Sequence, residues 1–96
     1  MSNKTGYYES QTLLAIPPGA TIKEQLLDRH MSQKEFAARM NLSEKHISRL
    51  INGEVQLTQE VALKLEFVLG VPAAFWNNLE AIYREKEVYL RSDNNT

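Results

Sequence analysis

Lys45 and Arg49 stand four residues apart, with Glu44, Ser48 and Asn52 interleaved around them. On a helix that advances about 100° per residue, these five side chains share one face. The chemistry open to such a face is recognition by hydrogen bonds. An ammonium or guanidinium donates to guanine O6 and N7, a carboxylate accepts from cytosine N4, and a serine hydroxyl does either. A good bidentate pair is worth about 1–3 kcal/mol of discrimination between bases. Ile47, Leu50 and Ile51 point the opposite way, so the segment has an apolar back. His46 falls at the edge of the polar face, where packing or a phosphate contact suits it. A charged outer face is often only a solvated one, so the reading depends on the elements that hold it.

Those elements are legible in SQKEFAARMNLSEKHISRLING, residues 32–53. Ser32 with Glu35 has the pattern of a capping box, which starts a helix expected over Gln33–Met40. Phe36, Ala37 and Met40 fall on its inner face. Asn41 tolerates a left-handed turn and ends it, Leu42 fills the corner, and Ser43 caps a further helix over Glu44–Ile51. Asn52-Gly53 stops that one. Two short helices joined without a loop, with a small residue at Ala37 where they approach, make a helix-turn-helix. In that motif one helix crosses the phosphate backbone and the next enters the major groove. Gln33, in the first turn of the leading helix, adds an amide donor beside the unpaired backbone N–H groups that favour a phosphate.

The rest of the chain reads as scaffold. Residues 1–16 lack a helical period, and Tyr7, Tyr8 and Leu13–Ile16 suggest an extended arm that docks on an apolar surface. A first helix is expected over about 18–30, burying Ile22, Leu26 and Leu27. A fourth, over Gln59–Leu69, is capped by Thr58 and ended by Gly70. It has one apolar face at Val61, Ala62, Leu65, Val68 and Leu69, and a second at Leu63 and Phe67, so it is expected to be covered on two sides. A fifth helix begins at Pro72 and runs to Tyr89 or Leu90, with Phe75, Leu79, Ile82 and Tyr83 as its stripe and Trp76 beside it. The candidate dimer or partner face comprises Phe67, Trp76, Ile82, Tyr83 and Tyr89. The expected plan is all-α: an arm at 1–17, a five-helix domain at 18–91 with the helix-turn-helix at 32–53, and a disordered tail at 92–96.

Composition narrows the function classes. The 96 residues suit one small domain. There is no cysteine, so no disulfide or thiolate metal site forms. No apolar run is long enough to cross a bilayer and no secretory signal opens the chain, so the expected location is the cytoplasm, with no membrane partner. The net charge of −1 excludes a non-specific basic coat on nucleic acid. Charge is nevertheless uneven. Residues 21–53 hold six cations against four anions, a balance of +2, and residues 54–96 hold four against seven, a balance of −3. Catalysis is not expected. Asp28, His30 and Ser32 are triad letters crowded at a helix end, where side chains two apart do not face each other. His30 suits a helix cap, His30 and His46 lack metal-pair spacing, and no metal or cofactor is expected.

Residues 17–83 also resemble the HigA type of antitoxin, a branch of the Cro/phage-repressor (XRE) helix-turn-helix class. The narrower signals are Pro18-Gly19, Leu57-Thr58 leading into Ala62-Leu63-Lys64-Leu65, and Val71-Pro72 with Phe75-Trp76 and Asn78-Leu79. The resemblance implies a five-helix, lambda-repressor-like domain that dimerises, binds its own double-stranded operator and represses transcription. It also implies a small basic partner, a RelE-like ribonuclease toxin. By the same resemblance the operator contacts come from Gln33, Ser43, Glu44, Lys45, Ser48 and Arg49, with Asn52 on a phosphate. The chain departs from the branch in its longer arm, and in Tyr83-Arg84-Glu85-Lys86 where a tyrosine-aspartate ending is usual. Domains with such an arm and continuation also occur at the front of longer regulators, some fused to a zinc-peptidase-like domain, and this is the alternative role.

Overall fold

Each helix of the domain starts and stops where a local backbone device allows it. The computed structural model describes residues 17–94, with side chains to Arg91; the expected arm at 1–16 lies outside the described residues. All regular structure among the described residues is helical: α1 Pro18–Asp28, α2 Gln33–Met40, α3 Glu44–Ile51, α4 Gln59–Leu69 and α5 Ala73–Asn94.

Pro17 and Pro18 preset the entry of α1, whose first turn has no need of a proline N–H. The helix ends earlier than expected because His30 turns left-handed, at φ 55°. The amide of Met31 then closes on Leu26 O at 2.9 Å, a pattern that satisfies end carbonyls. Leu27, expected in the buried stripe, is 67% exposed. It sits about 100° from Leu26, and the core receives only Ile22 and Leu26 from that face.

Helix α2 is capped by Ser32 Oγ, which accepts from the Glu35 amide at 3.0 Å. The reciprocal half of the box is not made: the Glu35 carboxylate turns forward to Arg39 at 2.8 Å. The pair is exposed and contributes little to stability. Asn41 ends the helix at φ 56° and ψ 45°. A left-handed residue with a Cβ costs about 1–2 kcal/mol, and asparagine offsets part of that. Asn41→Ala is therefore expected to lower stability by about 1 kcal/mol, and Asn41→Gly to leave it equal or higher, as read from paired urea melts.

Ser43 Oγ accepts from the His46 amide at 3.0 Å, and Thr58 Oγ1 from the Val61 amide at 3.2 Å. Gly53 and Gly70 close α3 and α4 at φ 76° and 78°. Beyond α4, Glu66 Oε1 accepts from the Ala73 amide at 2.8 Å, so a side chain of one helix caps the start of the next. Arg29 reaches the other way, donating to Leu69 O at 2.7 Å. One guanidinium thus ties the end of α1 to the unsatisfied carbonyl end of α4.

The core lies where α1, α2, α3 and α4 converge, around Ile22, Phe36, Met40, Ile47 and Leu65, and α5 closes it with Trp76. Trp76 was expected on the partner face. It is instead 0% exposed, with its indole N–H donating to Val71 O at 3.2 Å, and it belongs to the monomer core. The stripe of α5 is rotated to match. Trp76, Leu79 and Tyr83, spaced i, i+3, i+7, face inward, while Phe75 and Ile82 stay about half exposed. The second side of α4, expected to be covered, is open within the domain: Leu63 is exposed and Phe67 is 86% exposed. Helix α5 continues past Tyr89 and Leu90 to Asn94, because no glycine or proline interrupts it. The tail expected to be disordered from residue 92 therefore carries helical backbone through Asn94. Asn95 and Thr96 lie outside the described residues.

Candidate nucleic-acid interface

The site is one helix face, and its apolar back explains how it is held. Ile47, Leu50 and Ile51 of α3 are buried. Glu44, Lys45, Arg49 and Asn52 are exposed, and Ser48 is half-buried between the two surfaces. Among the described residues, the Lys45 ammonium and the Arg49 guanidinium have no hydrogen-bond or ion-pair partner. Arg39 on α2, by contrast, is held by Glu35. The cations of the α3 face are thus free to serve as donors.

Ser43 stands at the head of this face. Its oxygen is engaged by the His46 amide, which leaves its own O–H as a donor. Gln33 is exposed in the first turn of α2. It lies at the positive end of that helix dipole, beside amides with no intrahelical acceptor. The turn between the helices is tight: the amide of Leu42 closes on Ala37 O at 3.0 Å, and Ala37 is buried. The fold therefore sets Ser43, Glu44, Lys45, Ser48, Arg49 and Asn52 along one short helix and its ends, with Gln33 on the preceding helix.

Helix α3 is gripped from behind. A Cβ added at Gly19 would lie 2.0 Å from Ile51 O, so the start of α1 rests directly on the last turn of α3. Past that turn, the amides of Gly53 and Glu54 return to Leu50 O and Arg49 O at 3.2 and 2.8 Å. Pro17 and the Tyr83 hydroxyl crowd Gly53, at 3.0 and 3.3 Å from an added Cβ.

Arg84 also supports this corner, and its role was missed from sequence. Its Nη2 donates to Val55 O at 3.1 Å, its Nε to Glu80 at 2.6 Å and its Nη1 to Glu87 at 3.3 Å. The guanidinium carbon lies 4.8 Å from the centre of the Tyr83 ring, within cation–π range. Burial alone lowers the guanidinium pKa, but the hydrogen bonds and charges of Glu80 and Glu87 outweigh it, and the net shift is upward. Burial, and then the Glu87 carboxylate, push the Tyr83 phenol above its ordinary value. A sequence signal existed for part of this: acids at i−4 and i+3 of an arginine on a helix orient it. Nothing local pointed to Val55, 29 residues away.

Of the proposed partner residues other than Trp76, Phe67, Ile82 and Tyr89 are exposed and Tyr83 is half-buried. Asp28 and His30 are exposed, Ser32 is occupied in capping α2, and no hydrogen bond joins the three. Among the described residues, no group of three or more histidine, cysteine, aspartate or glutamate side chains could hold a metal ion. None of the described helices is long and apolar enough to cross a membrane.

Comparison with known proteins agrees with this geometry. The helix-turn-helix family matches residues 22–76. The uncharacterized HTH-type transcriptional regulator YddM of Escherichia coli (strain K12) is 40% identical over 63 residues, which cover 66% of this chain and 67% of that protein. Among solved structures, an addiction module antidote protein of the HigA family from Coxiella burnetii superposes with a TM-score of 0.76 at 27% identity, covering 83% of this chain and 88% of that one. A candidate antidote protein of a plasmid maintenance system from Nostoc punctiforme PCC 73102 superposes with a TM-score of 0.79 at 26% identity, over the same shares. With its two capped helices, its free cationic face and these matches, the chain belongs to the helix-turn-helix family and is a DNA-binding transcriptional regulator of XRE type with the fold of HigA-family antidote proteins.

Proposed function

We propose that the protein is a dimeric operator-binding repressor and the antitoxin of a toxin–antitoxin module, neutralising a RelE-like ribonuclease toxin encoded beside it. The observation that carries the repressor reading is the α3 face, where Lys45 and Arg49 stand exposed and unpaired beside Glu44, Ser48 and Asn52. Base edges are read by Lys45 and Arg49, with Glu44 and Ser48 beside them. Gln33, Ser43 and Asn52 hold phosphates or the groove edge. The antitoxin reading is supported by likeness to two antidote proteins and by the large apolar side chains left outside the core. Phe67, Ile82 and Tyr89 are the exposed side chains offered to a second subunit or the toxin, while Tyr83, which turns inward, supports them from behind.

Two measurements test this. Footprinting on the region upstream of the gene should show two half-sites roughly 34–36 Å apart. Affinity should fall about 10³–10⁵-fold between 50 and 200 mM salt if six to ten phosphates are contacted. Co-expression with the neighbouring reading frame should yield a complex that survives gel filtration, and Phe67→Ser should weaken it. Because Phe67 is 86% exposed, that change should move the melt by no more than about 0.5 kcal/mol. Absence of any protected site would remove the repressor reading. Failure to retain any neighbour-encoded protein would remove the antitoxin reading and leave repression standing.

A further inference from the structure

We propose that Arg84 is a positioning residue for DNA recognition, a clamp from α5 that fixes the exit of the reading helix without touching DNA. The inference deepens the DNA-binding assignment above and rests on it. The reading helix α3 ends in a short closing turn. The amides of Gly53 and Glu54 fold back on Leu50 O and Arg49 O, and Val55 is the next residue. A carbonyl just outside a helix end needs a donor from elsewhere. Arg84 supplies it from 29 residues away, at 3.1 Å.

The donor is itself immobilised. Glu80 and Glu87 hold the Nε and Nη1 edges of the guanidinium, and the Tyr83 ring lies against its face. The Tyr83 hydroxyl in turn reaches the Gly53 corner. A planar fork held on two edges can aim its remaining N–H in only one direction. A lysine has no such constraint, since its ammonium is a point charge on a flexible stem. Arg49, the base-reading candidate, lies in the last turn of α3 and provides the carbonyl that the Glu54 amide closes on. Loosening Val55 therefore frees the turn that sets where Arg49 points. Side-chain placement matters on the scale of a single ångström for hydrogen-bonded recognition.

The clamp joins that turn to the helix that carries Ile82 and Tyr89 outward. The arm of the clamp is thus part of the same α5 on which a partner is proposed to sit.

The test uses the whole chain and the variants Arg84→Met, Arg84→Lys and Glu87→Gln. In the free protein, exchange of the hydrogen-bonded amides of Gly53 and Glu54 should quicken in Arg84→Met relative to amides in α1 and α4. This measurement needs no DNA, so it stands even if the operator reading fails. Affinity for a duplex carrying the upstream region should fall about tenfold in Arg84→Met, as expected for losing a hydrogen bond from a charged donor. It should fall less in Glu87→Gln and be only partly restored in Arg84→Lys. Binding is measured at a temperature where the melt shows every variant fully folded, so a merely stabilising role would leave the affinity unchanged. The slope of log affinity against log salt should stay the same, because no phosphate contact is lost. A slope shallower by about 0.9 would mean that Arg84 meets a phosphate directly, and would overturn the proposal. So would unchanged affinity, or unchanged exchange at Gly53 and Glu54.

Discussion

Lys45→Ala with Arg49→Ala is expected to remove sequence-specific duplex binding while leaving the fold intact. Each side chain is exposed and has no partner among the described residues, so no contact within the domain is lost. Alanine favours a helix at least as well as lysine or arginine does, and surface changes of this kind move stability by about 0.5 kcal/mol or less. Binding is different. A bidentate base contact is worth about 1–3 kcal/mol. The pair together represents about 2–6 kcal/mol, from roughly 30-fold to 10⁴-fold in affinity. The two sites are one helical turn apart, so their effects need not add, and the single variants are measured beside the double. Titration of a labelled duplex, with a melt of each protein, decides the matter. Loss of preference among sequences identifies base contacts. Uniform weakening with a salt slope reduced by about one per residue identifies phosphate contacts. Unaltered affinity in the double variant would reject the α3 face as the reading surface.

Gly19→Ala is expected to be the most damaging single change to the scaffold. In an ordinary helix interior this substitution stabilises by roughly 0.5–1 kcal/mol. Here the new methyl would lie 2.0 Å from Ile51 O and 2.4 Å from Ile51 C and Cα. These are backbone atoms of the reading helix, so no side-chain rotation relieves the overlap, and α1 or the end of α3 must move. Overpacking of a fitted core typically costs 1–3 kcal/mol and occasionally more, and contact with backbone puts this case at the upper end. The clash exceeds the propensity gain, leaving a net loss of about 2 kcal/mol or more. For a domain of this size that is about 10 °C or more in melting temperature. Since Ile51 lies in α3, DNA affinity should fall as well, even under conditions where the variant is folded. A rise in stability would show that the two helices do not approach this closely.

The local devices of the fold were legible because they act across three or four residues. Ser32, Ser43 and Thr58 each cap the helix expected of them, and Asn41 and Gly70 turn left-handed where a stop was expected. The division of α3 into an apolar back and a polar front was also legible, since it follows from the angle between successive side chains. His30 was expected to cap α1 and turns left-handed at its end, although the helix closes two residues before the expected limit at residue 30.

Where two positions on one helix were both apolar, the sequence offered no means of choosing between them. Trp76 went inward and Phe75 stayed half exposed because only one can fill the gap left by the first four helices, and the indole N–H found Val71 O there. Phe67 and Leu63 stayed outside because α5 crosses the other side of α4. The Arg29–Leu69 and Arg84–Val55 clamps were out of reach of any pattern, with partners 40 and 29 residues apart. By itself, then, the sequence determined the helices, their caps and the charged face of α3, all products of short-range geometry. Tertiary structure alone decided which apolar residues are shared with solvent and what braces the reading helix, because both depend on where distant backbone carbonyls and cavities come to lie.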